Sequence, residues 1–145
     1  MFSHACMYAI RAMVLIASEK GGRTGLATIV EETGAPSAFM AKVLQKLVHA
    51  GILDSVKGHG GGFAIPARKA ANLRLGAVVS AIDGDALFKG CALGFPRCGD
   101  HEPCPIHDRV VRARTELRTL LADTRIADLG RGLLDGESLL KDKVR

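Results

Sequence analysis

Four glycines crowd the stretch Lys57-Gly58-His59-Gly60-Gly61-Gly62. No helix or regular strand accommodates that density, because each glycine removes a side chain and widens the backbone's choices. The stretch is therefore a turn. Residues 52–56 before it read as a strand, and residues 63–65 after it as a returning strand stopped by Pro66. A nucleotide-binding loop would need Gly-Lys-Ser/Thr leading into a helix. Here the glycines lead into Phe63-Ala64-Ile65, so a hairpin is the reading.

Two helices precede the hairpin. Residues 26–33 form a short one, with Leu26, Ile29 and Val30 apolar and Gly34 as its stop. Pro36 suits the start of the next, over residues 37–50. Phe39, Val43, Leu44, Leu47 and Val48 make its apolar stripe. Ala38, Lys42, Gln45 and His49 lie opposite, with Ser37, Ala41 and Lys46 nearby. A helix pair followed at once by a glycine-rich hairpin is a winged helix-turn-helix, with the second helix as the reader of DNA. Ser37, Ala38 and Lys42 stand on its first turns, where base contacts are made. Gln45 and Lys46 are placed for phosphates. Lys57, Gly58, His59 and Gly60 form the wing tip, suited to a minor groove whose negative potential favours cations.

The remaining chain reads as helix. Residues 4–18 put Cys6, Ile10, Met13 and Ala17 on one face, which makes Cys6 a core residue. Residues 75–82 form another helix, ended by Gly84. A long helix is expected from Cys104 or Pro105 to about Ala122, with Ile106, Val110, Ala113, Leu117, Leu120 and Leu121 at intervals of three and four. Thr124 would cap a last helix bearing Ile126, Leu129 and Leu133, and residues 137–145 would fray. The fold class is mainly α with one small β-hairpin. Its expected division is a DNA-binding domain over 1–84, a cysteine-rich loop over 85–104, and over 105–145 the long helix with its tail, whose stripe could cover the chain's own core or zip against a second copy.

That loop carries the other strong pattern. Cys91, Cys98 and Cys104 are spaced C-x6-C-x5-C, and His107 follows three residues later. Gly90, Gly94, Pro96, Gly99 and Pro103 keep the segment irregular, so it can wrap a cofactor. Three thiolates and an imidazole suit iron–sulfur clusters or zinc, and the spacing alone does not choose. Buried small residues or a disulfide are the plainer alternatives. Lys89, Arg97 and the start of the long helix would favour ionised thiols.

The composition is that of an ordinary globular chain of 145 residues, 48% apolar and 24% charged. No apolar run is long enough to span a membrane, and no convincing signal peptide opens the chain, so a cytoplasmic location is expected. The net charge is +5, and the excess lies in the first half. Residues 1–70 hold eight Lys/Arg against four Asp/Glu. That suits a polyanionic partner. Neither a C-x-x-C pair nor a nucleophile with a placed base occurs, so no enzymatic role is expected.

Met-Tyr-Ala-Ile-Arg-Ala-Met (7–13), Ala-Lys-Val-Leu-Gln-Lys-Leu-Val (41–48) and Ser-Val-Lys-Gly-His-Gly-Gly-Gly-Phe (55–63) resemble the Rrf-two family of bacterial transcription regulators, in its cysteine-containing, IscR- and NsrR-like branch. The resemblance implies a homodimer joined through the long helix, reading an inverted repeat in double-stranded promoter DNA. It implies an iron–sulfur cluster on Cys91, Cys98, Cys104 and His107, two-iron rather than four-iron if the imidazole is a ligand. The first cysteine spacing departs from the family's five intervening residues. Met7 occupies the helix position that NsrR-like members are thought to use as a carboxylate ligand. The competing expectation is a structural zinc, or a thiol-redox switch, at the same cysteines.

Overall fold

The computed structural model describes residues 1–140. Residues 141–145, part of the tail expected to fray, lie outside them. The elements are α1 (His4–Ser18), α2 (Leu26–Thr33), α3 (Ser37–His49), β1 (Asp54–Val56), β2 (Gly62–Ala64), α4 (Ala67–Ala70), α5 (Leu75–Asp83), a 3-10 turn (Ala86–Phe88), α6 (His107–Asp123) and α7 (Ile126–Leu134). This is the mainly helical winged-helix architecture expected.

Helix α1 is the centre of the core. Ser3 caps it: the Ser3 Oγ accepts the Cys6 N–H at 3.0 Å, supplying one of the partners a helix start lacks. Cys6, Ala9, Ala12, Met13 and Ile16 are buried, following the helical repeat. They meet α3, α5 and α7. Gly130 of α7 is buried against α1, and a Cβ there would lie 2.8 Å from the Ala17 carbonyl carbon. Only glycine permits this approach. Ile29, Met40, Leu44, Leu47, Val78, Val79, Leu121 and Ile126 complete the same cluster. In α3 Met40 is buried along with Val43, Leu44 and Leu47, while Phe39 and Val48 are half-buried at the stripe's edge.

The wing is shorter than expected. Its antiparallel register pairs Asp54 with Ala64, Ser55 with Phe63 and Val56 with Gly62. Ile52 and Leu53 are buried and accept no strand partner; their N–H groups instead donate to the Leu47 carbonyl and close α3. Thr24 adds a third edge, exchanging two 2.9 Å backbone bonds with Phe63. Gly61 sits so tightly in the turn that a Cβ would meet the Val56 oxygen at 2.2 Å.

The elements depart from the sequence reading elsewhere too. Ala67–Ala70 forms an extra one-turn helix after Pro66. Thr124 closes α6, its Oγ1 donating to the Leu120 carbonyl at 2.7 Å, and Arg125 precedes α7 instead. Helix α6 begins at His107, not at Cys104 or Pro105. Pro105 disfavours helical backbone at Cys104, the residue before it. Leu140, in the tail expected to fray, packs on the core.

Helix α6 is anchored at its C-terminal end. The Leu75 N–H donates to the Thr124 carbonyl at 2.9 Å, the Ile126 N–H to the Leu73 carbonyl at 3.0 Å, and the Arg74 guanidinium to the Asp123 carbonyl at 3.1 Å. Leu121 is buried there, while Val110 and Leu117 are half-buried. Ile106, Val111, Ala113 and Leu120 face outward. Among the described residues, no helix is long and apolar enough to cross a membrane.

Candidate cofactor site and nucleic-acid interface

The loop between the 3-10 turn and α6 folds back on itself and gathers its thiols. The Sγ atoms of Cys91, Cys98 and Cys104 lie within 4.8 Å of one another. Among the described residues this is the one such cluster of three or more potential ligands. All four cysteines are free thiols in this structure. The Leu93 N–H points at the Cys91 sulfur at 3.3 Å and the Cys104 N–H at the Cys98 sulfur at 3.4 Å. Such bonds stabilise sulfur carrying negative charge.

His107 joins the cluster through Cys98, its Nδ1 lying 3.2 Å from that sulfur. It arrives there as the first residue of α6, after a turn closed by its N–H on the Cys104 carbonyl at 3.0 Å. Cys104 and His107 are thus not two positions along one helix face; the turn brings them together. The ring's other nitrogen, Nε2, is buried and lies 3.4 Å from Asp100 Oδ1 without hydrogen-bond geometry. A cavity of about 30 Å³ opens between Gly90, the three cysteines, His107 and Arg114. The mutual grouping holds the three thiols alone, with the imidazole against one of them; such a donor set fits zinc or an iron–sulfur cluster.

The thiols differ in acidity. Partial burial raises Cys91, but the backbone N–H groups of Phe95 and Leu93, with the thiols of Cys98 and Cys104, outweigh it and bring Cys91 down to about 7. At Cys98 the Cys104 N–H lowers the value, yet desolvation and the neighbouring thiols prevail and it ends raised. The expected help from Lys89 and Arg97 is not seen. Lys89 Nζ lies 2.6 Å from Asp85 Oδ2, and Arg97 Nε lies 3.7 Å from Glu102 Oε2. Both cations are committed to carboxylates.

Arg114 and Arg118 stand off the long helix's apolar stripe, where solvent is the ordinary neighbour. They instead meet the loop. Arg114 donates to the Gly90 carbonyl at 2.8 Å and to the Lys89 carbonyl at 3.0 Å. Arg118 lies over the Phe88 ring, 4.6 Å from its centroid. No sequence signal marks partners that are backbone carbonyls of a distant loop.

Ser37, Ala38, Lys42, Gln45 and Lys46 are exposed along α3. Lys57, Gly58, His59 and Gly60 are exposed at the wing tip. Arg23, overlooked in the sequence, braces the wing's base, with its Nη1 3.4 Å from both the Asp54 and Gly62 carbonyls.

A family model described as "Iron-dependent Transcriptional regulator", Rrf2, matches residues 2–132. The chain belongs to the Rrf2 family. It is 30% identical over 101 residues to the HTH-type transcriptional regulator IscR of Escherichia coli, which covers 69% of this chain and 61% of IscR. The chain thus spans about three-fifths of that relative's length. The structure of CymR, the global cysteine regulator of B. subtilis, superposes with a TM-score of 0.73 at 20% identity, over 90% of this chain and 96% of CymR. IscR of T. potens gives a TM-score of 0.72 at 19% identity, over 95% of this chain and 91% of that one. At those identities the likeness shows the winged-helix fold. As an Rrf2 member the chain is of a family of transcription regulators, a role distinct from catalysis.

Proposed function

We propose that this Rrf2 protein is a cytoplasmic transcription repressor whose operator affinity is switched by an iron–sulfur cluster held by Cys91, Cys98, Cys104 and His107. The observation that carries the reading is the convergence of three thiols in a loop that runs straight into α6, whose first residue, His107, lies against one of them. The imidazole favours a two-iron cluster. When bound, the cluster supplies a centre sensitive to oxidants and to iron supply. The chain's residues do the rest. Cys91 enters from the α5 side and His107 from α6, so ligands from both sides join the two elements. Helix α5 packs on α3, and α6 is paired to the start of α5. A change at the loop therefore has a packed route to the reading helix.

In this proposal residues 1–84 read DNA, 85–104 hold the cofactor, and 105–145 join two copies. Ser37, Ala38 and Lys42 contact bases. Gln45, Lys46, Lys57, Gly58, His59 and Gly60 contact the backbone and minor groove. The dimer reads an inverted repeat.

A second reading is zinc. Tetrahedral zinc with Zn–S near 2.3 Å sets sulfur–sulfur edges of about 3.8 Å, and the three sulfurs already lie within 4.8 Å of one another. The test is protein purified without oxygen, assayed for visible absorbance, iron, acid-labile sulfide and zinc. Iron and sulfide in equal amounts with visible absorbance support the cluster. Zinc in colourless protein overturns it in favour of the second reading.

A further inference from the structure

Of the four proposed ligands, Cys98, Cys104 and His107 hold one another in place. The Cys104 N–H meets the Cys98 sulfur, His107 Nδ1 meets the same sulfur, and the His107 N–H meets the Cys104 carbonyl. Cys91 stands apart in sequence, sixteen residues before α6 begins. Its own neighbourhood is a small turn, with the Gly94 N–H on the Cys91 carbonyl at 3.0 Å and the Leu93 N–H on its sulfur. Among the described residues, the hydrogen bonds joining residues 88–91 to α6 all come from two arginines. Arg114 donates to the carbonyls of Gly90 and Lys89, immediately before Cys91. Arg118, one turn on, reaches the Phe88 carbonyl at 3.5 Å and covers its ring.

We propose that Arg114 is the positioning residue for Cys91: its guanidinium, forked onto two successive carbonyls, holds the Cys91 arm on α6 in the absence of any cofactor. This rests on the reading of the thiol cluster as a cofactor site. A planar fork meets two neighbouring acceptors at once, which an ammonium on a flexible stem does not. Three tethered ligands and a fourth on a free arm would bind weakly, because each encounter would have to order the arm. With the arm already fixed, that ordering is done in advance. Outer residues that orient metal ligands typically govern affinity by about 10–100-fold. Arg114 also lines the cavity between the sulfurs.

The test compares wild type, Arg114→Ala, Arg114→Lys and Arg109→Ala, the last an exposed arginine on the same helix. In metal-free reduced protein, hydrogen exchange is read at the Leu93 and Gly94 amides, which report the Cys91 turn. Cadmium affinity is then read from thiolate charge-transfer absorbance. The expected result is faster exchange at those two amides and about a tenfold or greater loss of cadmium affinity in Arg114→Ala. Arg114→Lys should recover part of both, and Arg109→Ala should match wild type, all with unchanged far-ultraviolet circular dichroism. Wild-type exchange and affinity in Arg114→Ala would overturn the proposal, as would equal losses in Arg109→Ala. Reconstitution with iron and sulfide separates the two ideas. If wild type binds cadmium through the cysteines but takes up no iron and sulfide, the cluster reading fails while the role of Arg114 is still decided by the cadmium arm.

Discussion

Cys6 and Cys91 carry the same thiol and meet opposite surroundings. Burial, reinforced by Asp83 beside it, pushes Cys6 up to about 12. At Cys91 burial is outweighed by backbone N–H groups, and the value falls to about 7. Cys6 therefore stays a neutral core thiol, and its consequence is for stability. Unfolded, it ionises near the ordinary 9.0; folded, it holds its proton until about 12. Above 9 the unfolded chain binds fewer protons, so this group's contribution, intact below 9, is lost progressively as pH rises towards 12. Urea unfolding of wild type and Cys6→Ala across that window should show a shallower alkaline loss in the variant; parallel curves would contradict the assignment. At the cluster, His107→Ala should lower iron and sulfide content after anaerobic reconstitution and alter the absorbance spectrum, with His107→Cys restoring the content. An unchanged spectrum in His107→Ala would place His107 outside the ligand set. The cysteine spacing already put three thiols in one loop. What it could not contain was the turn that delivers His107 to Cys98, because that turn depends on where α6 starts.

Elements built on local repeats were the legible ones. The three-four pattern in α1, α2, α3 and α5, and the glycines of the wing, are consequences of burial and backbone sterics within a few residues. Elements whose limits depend on distant partners were not legible. Strand β1 is cut short because Ile52 and Leu53 turn inward to finish α3, and Thr124 serves the end of α6 rather than the start of α7. The wing supplies two predictions at this scale. Lys57→Ala should weaken binding similarly on all duplexes and lower the salt slope by about 0.9, the value of one phosphate contact. Titration at several salt concentrations checks it, and an unchanged slope would take Lys57 out of the contact. Gly61→Ala should do more harm despite leaving charge untouched. Its methyl would have to displace the Val56 carbonyl, 2.2 Å away, and so spread the hairpin. Operator affinity should fall while the thermal midpoint, set by the helical core, moves little.

The whole molecule presents α6 as a helix anchored in the core at its C-terminal end, with apolar side chains that the described residues leave exposed. Leu120 is 53% exposed and shares its face with exposed Ala113, two turns back, whereas Leu121, one residue on, is 4% exposed and sits in the core. Leu117 turns its side chain partly towards that core, so a charge there would test folding and assembly together. Adjacent residues of one helix therefore separate the two roles. In the proposed dimer, Leu120→Asp should dissociate the copies while leaving each folded, since a surface substitution commonly shifts stability by no more than about 0.5 kcal/mol. Leu121→Asp should unfold the chain, because an unpaired buried charge costs several kcal/mol. Sedimentation equilibrium and circular dichroism distinguish these outcomes. The link to function follows from geometry: two reading heads on one body make the second half-site contact intramolecular, which commonly gains about 10²–10⁴ in affinity. Leu120→Asp should lose that factor on an inverted repeat and almost nothing on an isolated half-site. A Leu120→Asp protein that is still dimeric, or that binds both duplexes as wild type does, would move the assembly surface away from this face of α6.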